Sequence, residues 1–188
     1  TPEQIVNSSQ KEYLDVFLAR KYEDEMAWAW WDWHKRVSTG GEPSDPYACG
    51  AGLAHRLDID TSGILLRAKT KDAWGDLSQQ IRRRSVSKVY LALAHGFMKV
   101  GTEKRITAPL AVSKEDRYTY VDPRNGEVAE THLRCLANLT SKDAYTSDQE
   151  HFSLFHIKIV TGRTHQIRAH MLHINYPLVS DKKYNPLI

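Results

Sequence analysis

Hydrophobic and polar positions alternate with a period of two over several stretches of this chain, and recur at helical spacing over three others. Residues 85–94 alternate strictly: Val89, Leu91 and Leu93 fall on one side, Lys88, Tyr90 and Ala92 on the other. A strand there sets Lys88 and Tyr90 side by side on one surface. Residues 128–139 and 152–160 alternate as well, with Ser153, Phe155, Ile157 and Ile159 opposite His156 and Lys158. Residues 107–112 and 117–121 read as short strands, and 122–126, DPRNG, as a turn with Pro and Asn-Gly chemistry between strands. The run Ile64-Leu65-Leu66 opens a buried strand over 64–68, and the polar 141–150, SKDAYTSDQE, reads as a hairpin excursion.

Helical spacing predicts a first helix over 10–36, where Leu14, Phe17 and Leu18 recur and good helix formers continue through Met26 and Ala27. Thr70 is placed to cap a second helix carrying Ala73, Leu77 and Ile81 on one face. A third covers 163–174 with the stripe Ile167, Met171 and Ile174, ended by Asn175 and Pro177. Residues 38–52, STGGEPSDPYACGAG, form a mobile loop, either a lid over residues 54–63 or slack. The order is helix, strand, helix, a run of strands, then strand and helix. It predicts an α+β fold around a mixed, mainly antiparallel sheet with helices packed on it.

At 188 residues the chain suits one domain with an appendage, and its 41% hydrophobic and 26% charged content is that of an ordinary globular protein. No apolar run approaches the roughly 18 residues of a membrane span, and the start resembles neither a signal nor a transit peptide. A protein inside the cell, off the membrane and monomeric is expected, with the compartment open. Cys49 and Cys135 stand alone, which suits a reducing compartment and offers no metal spacing. The net charge of +3 is unevenly placed. Lys11, Arg20 and Lys21 face six acids within 1–30, so the rest of the chain is basic and compatible with a polyanion. Residues 27–37, AWAWWDWHKRV, hold four of the five tryptophans; so dense a cluster suits packing of a helix end better than a platform for bases.

Candidate chemistry concentrates at 54–63, AHRLDIDTSG, directly before the apolar strand. His55 and Arg56 precede the carboxylate of Asp58; Asp60, Thr61 and Ser62 come after it. A carboxylate at the mouth of a buried strand with cations beside it is where a rigid scaffold presents a reactive group. An Asx or Ser/Thr turn starting the strand accounts for the same residues. Arg82, Arg83 and Arg84 make the densest positive cluster; they complement a helix dipole or contact phosphates. In the third helix His170 and His173 share a face, but no carboxylate or cysteine completes a zinc set, so no metal is expected. Arg163 and Arg168 give that helix an electrostatic use instead. An arginine from it, paired with Asp58, would keep the carboxylate ionised and ready to act as a nucleophile on a sugar.

The stretches AHRLDIDTSGILL, SKVYLALAHG and TGRTHQIRAHMLHINYPLVSDKKY resemble, in order, the three signature motifs of the RluA-type pseudouridine synthases. The resemblance covers roughly residues 50 to 184 and implies the pseudouridine synthase fold. It implies an isomerase that flips a uridine of ribosomal or transfer RNA out of its stack and converts it to pseudouridine, with no cofactor. By the same resemblance Asp58 is the nucleophile, Tyr90 stacks on the base, Arg168 pairs with Asp58, and Arg56 holds the flipped nucleotide or fills its space. His55, Lys88 and Arg163 match motif positions and are counted with Arg82–Arg84 as RNA contacts. The N-K-P-x-G strand and the S4-type domain of many members are missing, and the chain stops soon after Tyr184, where the family fold normally continues. Either the start is truncated or residues 1–37 are a divergent addition; they are read as a helical, Trp-rich appendage, and 38–188 as a catalytic domain truncated at its end. The alternatives are an RNA-binding module that keeps the fold without catalysis, and a glycoside or nucleoside hydrolase using Asp58 with Asp60.

Overall fold

A computed structural model describes residues 14–19, 52–58, 60–142 and 149–187 of the chain. The chain divides into two compact units, Thr1–Val86 and Ser87–Ile188, each described by itself. The expected appendage boundary at 37/38, the tryptophan segment and the loop over 38–51 lie outside the described residues.

In the first unit, β1 (Leu14–Ala19) pairs antiparallel with β2 (Gly63–Ala68), from Leu14 opposite Ala68 to Ala19 opposite Gly63. This corrects the helix expected over 10–36: at Leu14–Ala19 the chain is extended. LDVFLA is apolar enough to serve either period, and backbone bonds to a distant partner strand decide the matter. Helix α1 (Lys71–Arg82) comes after β2, with the Thr70 hydroxyl accepting the Ala73 N–H at 3.2 Å as its cap. Leu77 is buried on its inner face.

The second unit is built on one four-stranded antiparallel sheet in the order β3 (Lys88–His95), β8 (Gln149–Ile159), β7 (Thr131–Lys142), β4 (Glu103–Ile106). A two-stranded sheet of β5 (Leu110–Val112) and β6 (Thr119–Val121) stands apart from it. Tyr90 lies opposite Ile157 and Ala92 opposite Phe155, so these share a face. Phe155, Ile157, Leu133 and Cys135 are buried there against Met171 of helix α2 (Gln166–His173). Val89 and Leu91, on the other side of β3, are exposed. The short strand β4 has no counterpart among the expected elements. The third expected helix starts at Gln166 rather than 163, because His165 before it takes a left-handed conformation (φ 48°). The DPRNG turn forms as expected, with Asp122 Oδ1 accepting the Arg124 and Asn125 N–H groups.

Candidate active site

The loop that carries Asp58 is fixed at both ends by local bonds within the first unit. Before it, Gly52 has φ +80°, and a Cβ there would collide with the Ala68 carbonyl oxygen, so only glycine fits. Ala68 N–H donates to Gly52 O at 2.9 Å, and the Trp74 indole N–H of α1 donates to Leu53 O at 3.2 Å. Within it, the Leu66 N–H donates to His55 Nε2 at 3.0 Å. That bond makes Nε2 the acceptor and puts the ring proton on Nδ1 in a neutral imidazole. His55 thus straps the loop to β2. Asp58 is half-buried, and its carbonyl receives the Thr61 N–H at 2.9 Å, which closes the turn into β2. Arg56 and Asp60 are exposed. Arg82 lies in the last turn of α1, Arg83 caps it and Arg84 leaves it at φ 60°, all three exposed. The cluster therefore serves the helix dipole and faces solvent at once.

In the second unit, β3 carries Lys88 and Tyr90 on one surface, both half-buried, as the alternation predicts. The Tyr90 ring packs against the core cluster. Burial pushes the Lys88 ammonium below its ordinary value. Arg163 lies in the turn before α2 instead of in its first turn. Its Nε donates to Val128 O at 3.1 Å, it pairs with Glu127, and its backbone N–H donates to Gln166 Oε1 at 3.0 Å.

Arg168 is held at one edge and on one face of its guanidinium. Its Nε–H donates to Asp181 Oδ2 at 2.8 Å and its Nη2–H to Asp181 Oδ1 at 2.7 Å. Its guanidinium carbon sits 4.5 Å from the centroid of the Tyr184 ring. Burial alone would raise the Asp181 carboxyl, but the bonds and charge of Arg168, with the Lys183 and Tyr184 amides, hold it below its ordinary value.

A chain of buried polar groups ties α2 to the sheet. Gln166 Oε1 accepts from the Thr161 hydroxyl (2.7 Å) and the Arg163 N–H, while its Nε2 donates to Glu130 O and Thr131 Oγ1, both at 2.9 Å. Thr131 Oγ1 bonds His170 Nδ1 at 2.9 Å, and His170 Nε2 donates to Ala108 O at 2.8 Å. Both nitrogens of this fully buried ring are committed, so it is a strut and is no longer available to pair with His173 on a metal. Among the described residues no group of three metal-ligating side chains forms. At the outer edge, hydrogen bonds from Arg105 and then His132 pull the Glu130 carboxyl down to about 2. A shallow groove lined by Arg105, His132, Arg134, His156 and Lys158 opens on the sheet face opposite Tyr90, and none of the candidate residues lines it.

Sequence reasoning missed Asp181, Tyr184, Gln166 and Thr131. The signal was present for three of them, since Gln166, Asp181 and Tyr184 fall inside the third motif stretch.

Residues 29–173 match the family model described as RNA pseudouridylate synthase. The chain is 40% identical over 134 residues to a ribosomal large subunit pseudouridine synthase D of Nitrosomonas europaea, covering 71% of this chain and 36% of that one. It is 39% identical over 142 residues to a ribosomal large subunit pseudouridine synthase C of Buchnera aphidicola, covering 74% and 41%. The chain thus spans about two fifths of the length of these relatives. Among solved structures, human RNA pseudouridylate synthase domain containing 1 superposes with a TM-score of 0.62 at 28% identity, over 72% of this chain and 55% of that one. Human RNA pseudouridylate synthase domain containing 4 shares the fold, with a TM-score of 0.61 at 22% identity over 94% of this chain and 67% of the other. A half-buried aspartate in an HRLD loop, a Lys-x-Tyr strand and a clamped arginine in an HQIR helix, in that order, accompany the match, and the chain belongs to the RNA pseudouridylate synthase family, in its RluA-type branch.

Proposed function

We propose that this chain is the catalytic part of an enzyme that converts uridine to pseudouridine in ribosomal RNA, with Asp58 as nucleophile. The observation that carries the reading is the loop of Asp58: pinned by Gly52, His55 and Trp74, it holds a half-buried carboxylate at the entrance to β2. Ribosomal RNA is preferred to transfer RNA because the relatives are named for the large ribosomal subunit.

The reaction breaks the N1–C1′ bond, turns the uracil and joins C5 to C1′. The C5 proton leaves, N1 takes one up, and nothing is oxidised or reduced. The target nucleotide has to leave its stack to be reached. Stacking on the Tyr90 ring would return part of that cost, about 1–3 kcal/mol per base. Arg168 would hold Asp58 ionised and oriented. Arg56 would hold the flipped nucleotide or fill the space it leaves, and Lys88, Arg163 and Arg82–Arg84 would neutralise phosphates. His55 would act on RNA indirectly, through the loop it braces.

The test uses transcribed large-subunit ribosomal RNA tritiated at uridine C5, from which each isomerisation releases tritium to water. The wild-type chain is expected to release it and Asp58→Ala to release none, while both bind the RNA with similar affinity. Turnover by purified Asp58→Ala would overturn the assignment. Binding without product by the wild type would favour a module that has lost catalysis, and release of free uracil a hydrolase.

A further inference from the structure

We propose that Asp181 and Tyr184 are positioning residues that set the orientation of Arg168 for its work on Asp58; this rests on the nucleophile role proposed for Asp58 and on its proposed pairing with Arg168. A guanidinium offers two forks: a side edge made of Nε and Nη2, and an end edge made of Nη1 and Nη2. Asp181 takes the side edge with two bonds of 2.8 and 2.7 Å. The side chains are 20% exposed for Arg168 and 6% for Asp181, so the pair is shielded from water. The end edge is the one that suits a second carboxylate, and its direction is set by how the side edge is held.

Each part of the clamp is itself anchored. Asp181 Oδ1 also accepts the Lys183 N–H at 3.2 Å and the Tyr184 N–H at 3.1 Å, so its carboxylate cannot swing without breaking the turn it sits in. The Tyr184 ring lies beneath the guanidinium and stacks on Tyr118 at 4.5 Å and 17°. Its hydroxyl accepts the Thr119 N–H at 2.7 Å and meets His165 Nδ1 at 2.8 Å. Tyr184 is only 2% exposed, and the His165 that it meets has the left-handed backbone that starts α2 at the residue before Gln166. Asp181 thus fixes the guanidinium in its plane, and the ring fixes the plane. A group held by a bidentate pair and a stacked face loses little freedom on meeting its target, and misplacement by about 1 Å is worth on the order of 100-fold in rate.

The test is a double-mutant cycle on the full chain, reading kcat and KM by tritium release from the same ribosomal RNA. Asp181→Asn is expected to lower kcat by about 100-fold with KM changed by less than about twofold. In an Arg168→Met background the same change should alter kcat by less than about twofold, because there is no guanidinium left to aim. A residue that merely supports the fold would lower kcat by the same factor in both backgrounds, and that result overturns the proposal. If Asp181→Asn does not fold, Asp181→Glu takes its place in the cycle, keeping the charge and displacing the fork by one methylene, with the same non-additivity expected. Asp58→Asn is measured alongside. If it retains turnover, the nucleophile reading fails and the clamp falls with it; if it is inactive while the cycle is additive, the clamp alone fails.

Discussion

His170 shares a helix face with His173, yet its environment makes it a neutral strut between Thr131 and Ala108 rather than half of a metal pair. Burial lowers the pKa of this imidazole below its ordinary value of 6.5, against the smaller opposing pull of the Ala108 carbonyl. Between the folded and unfolded values the unfolded chain binds a proton that the folded chain refuses. Stability is therefore greatest above about 6.5 and falls as the pH drops through the folded value. Urea midpoints at pH 7.5 and 5.5 should differ more for the wild type than for His170→Gln; equal differences would mean that the ring contributes no linkage. Asp58 is the opposite case. Its residue type, its cationic neighbours and its place before an apolar run are legible in order, because all of them lie within ten positions of the chain.

At the scale of elements, helix α1 and its Thr70 cap match the sequence closely, since a cap and a helical stripe are local properties. Its three terminal arginines are exposed and so remain available for phosphates. Replacing Arg82, Arg83 and Arg84 by Gln should flatten the dependence of log K on log salt for RNA binding, by roughly 0.7 for each single-strand phosphate no longer neutralised. An unchanged slope in a filter-binding titration would leave them as helix-end charges alone. Strand β3 is less transparent. Alternation alone leaves open which of its sides is covered, and the covered side is the one with Lys88, Tyr90 and Ala92. Phe155 and Ile157 of the neighbouring strand lie on that side and bring α2 with them. The more aliphatic side, Val89 and Leu91, is exposed.

At the scale of the molecule, the hydrophobic clusters around Phe155 and around Tyr184 draw all their buried residues from the second unit, between Ala94 and Tyr184. A fragment 87–188 should therefore unfold in a single sigmoidal urea transition by circular dichroism, and should lack isomerase activity because Asp58 is not in it. A broad, non-cooperative transition would show that the first unit is needed to complete its core. Among the described residues, no helix is long and apolar enough to cross a membrane.

The α+β class, most strands, two of the three expected helices and the three motif stretches were determined by the sequence itself, because periodicity, caps and turn residues act over a few positions. Only the tertiary structure decided that Leu14–Ala19 is a strand. A segment that can satisfy either period takes the one for which a partner exists, and that partner, Gly63–Ala68, lies more than forty residues away. The same holds for the grip of Asp181 on Arg168, thirteen positions apart across a helix end and a turn. An ion pair is specified by where two backbones bring their side chains, and no local pattern in the chain encodes that meeting.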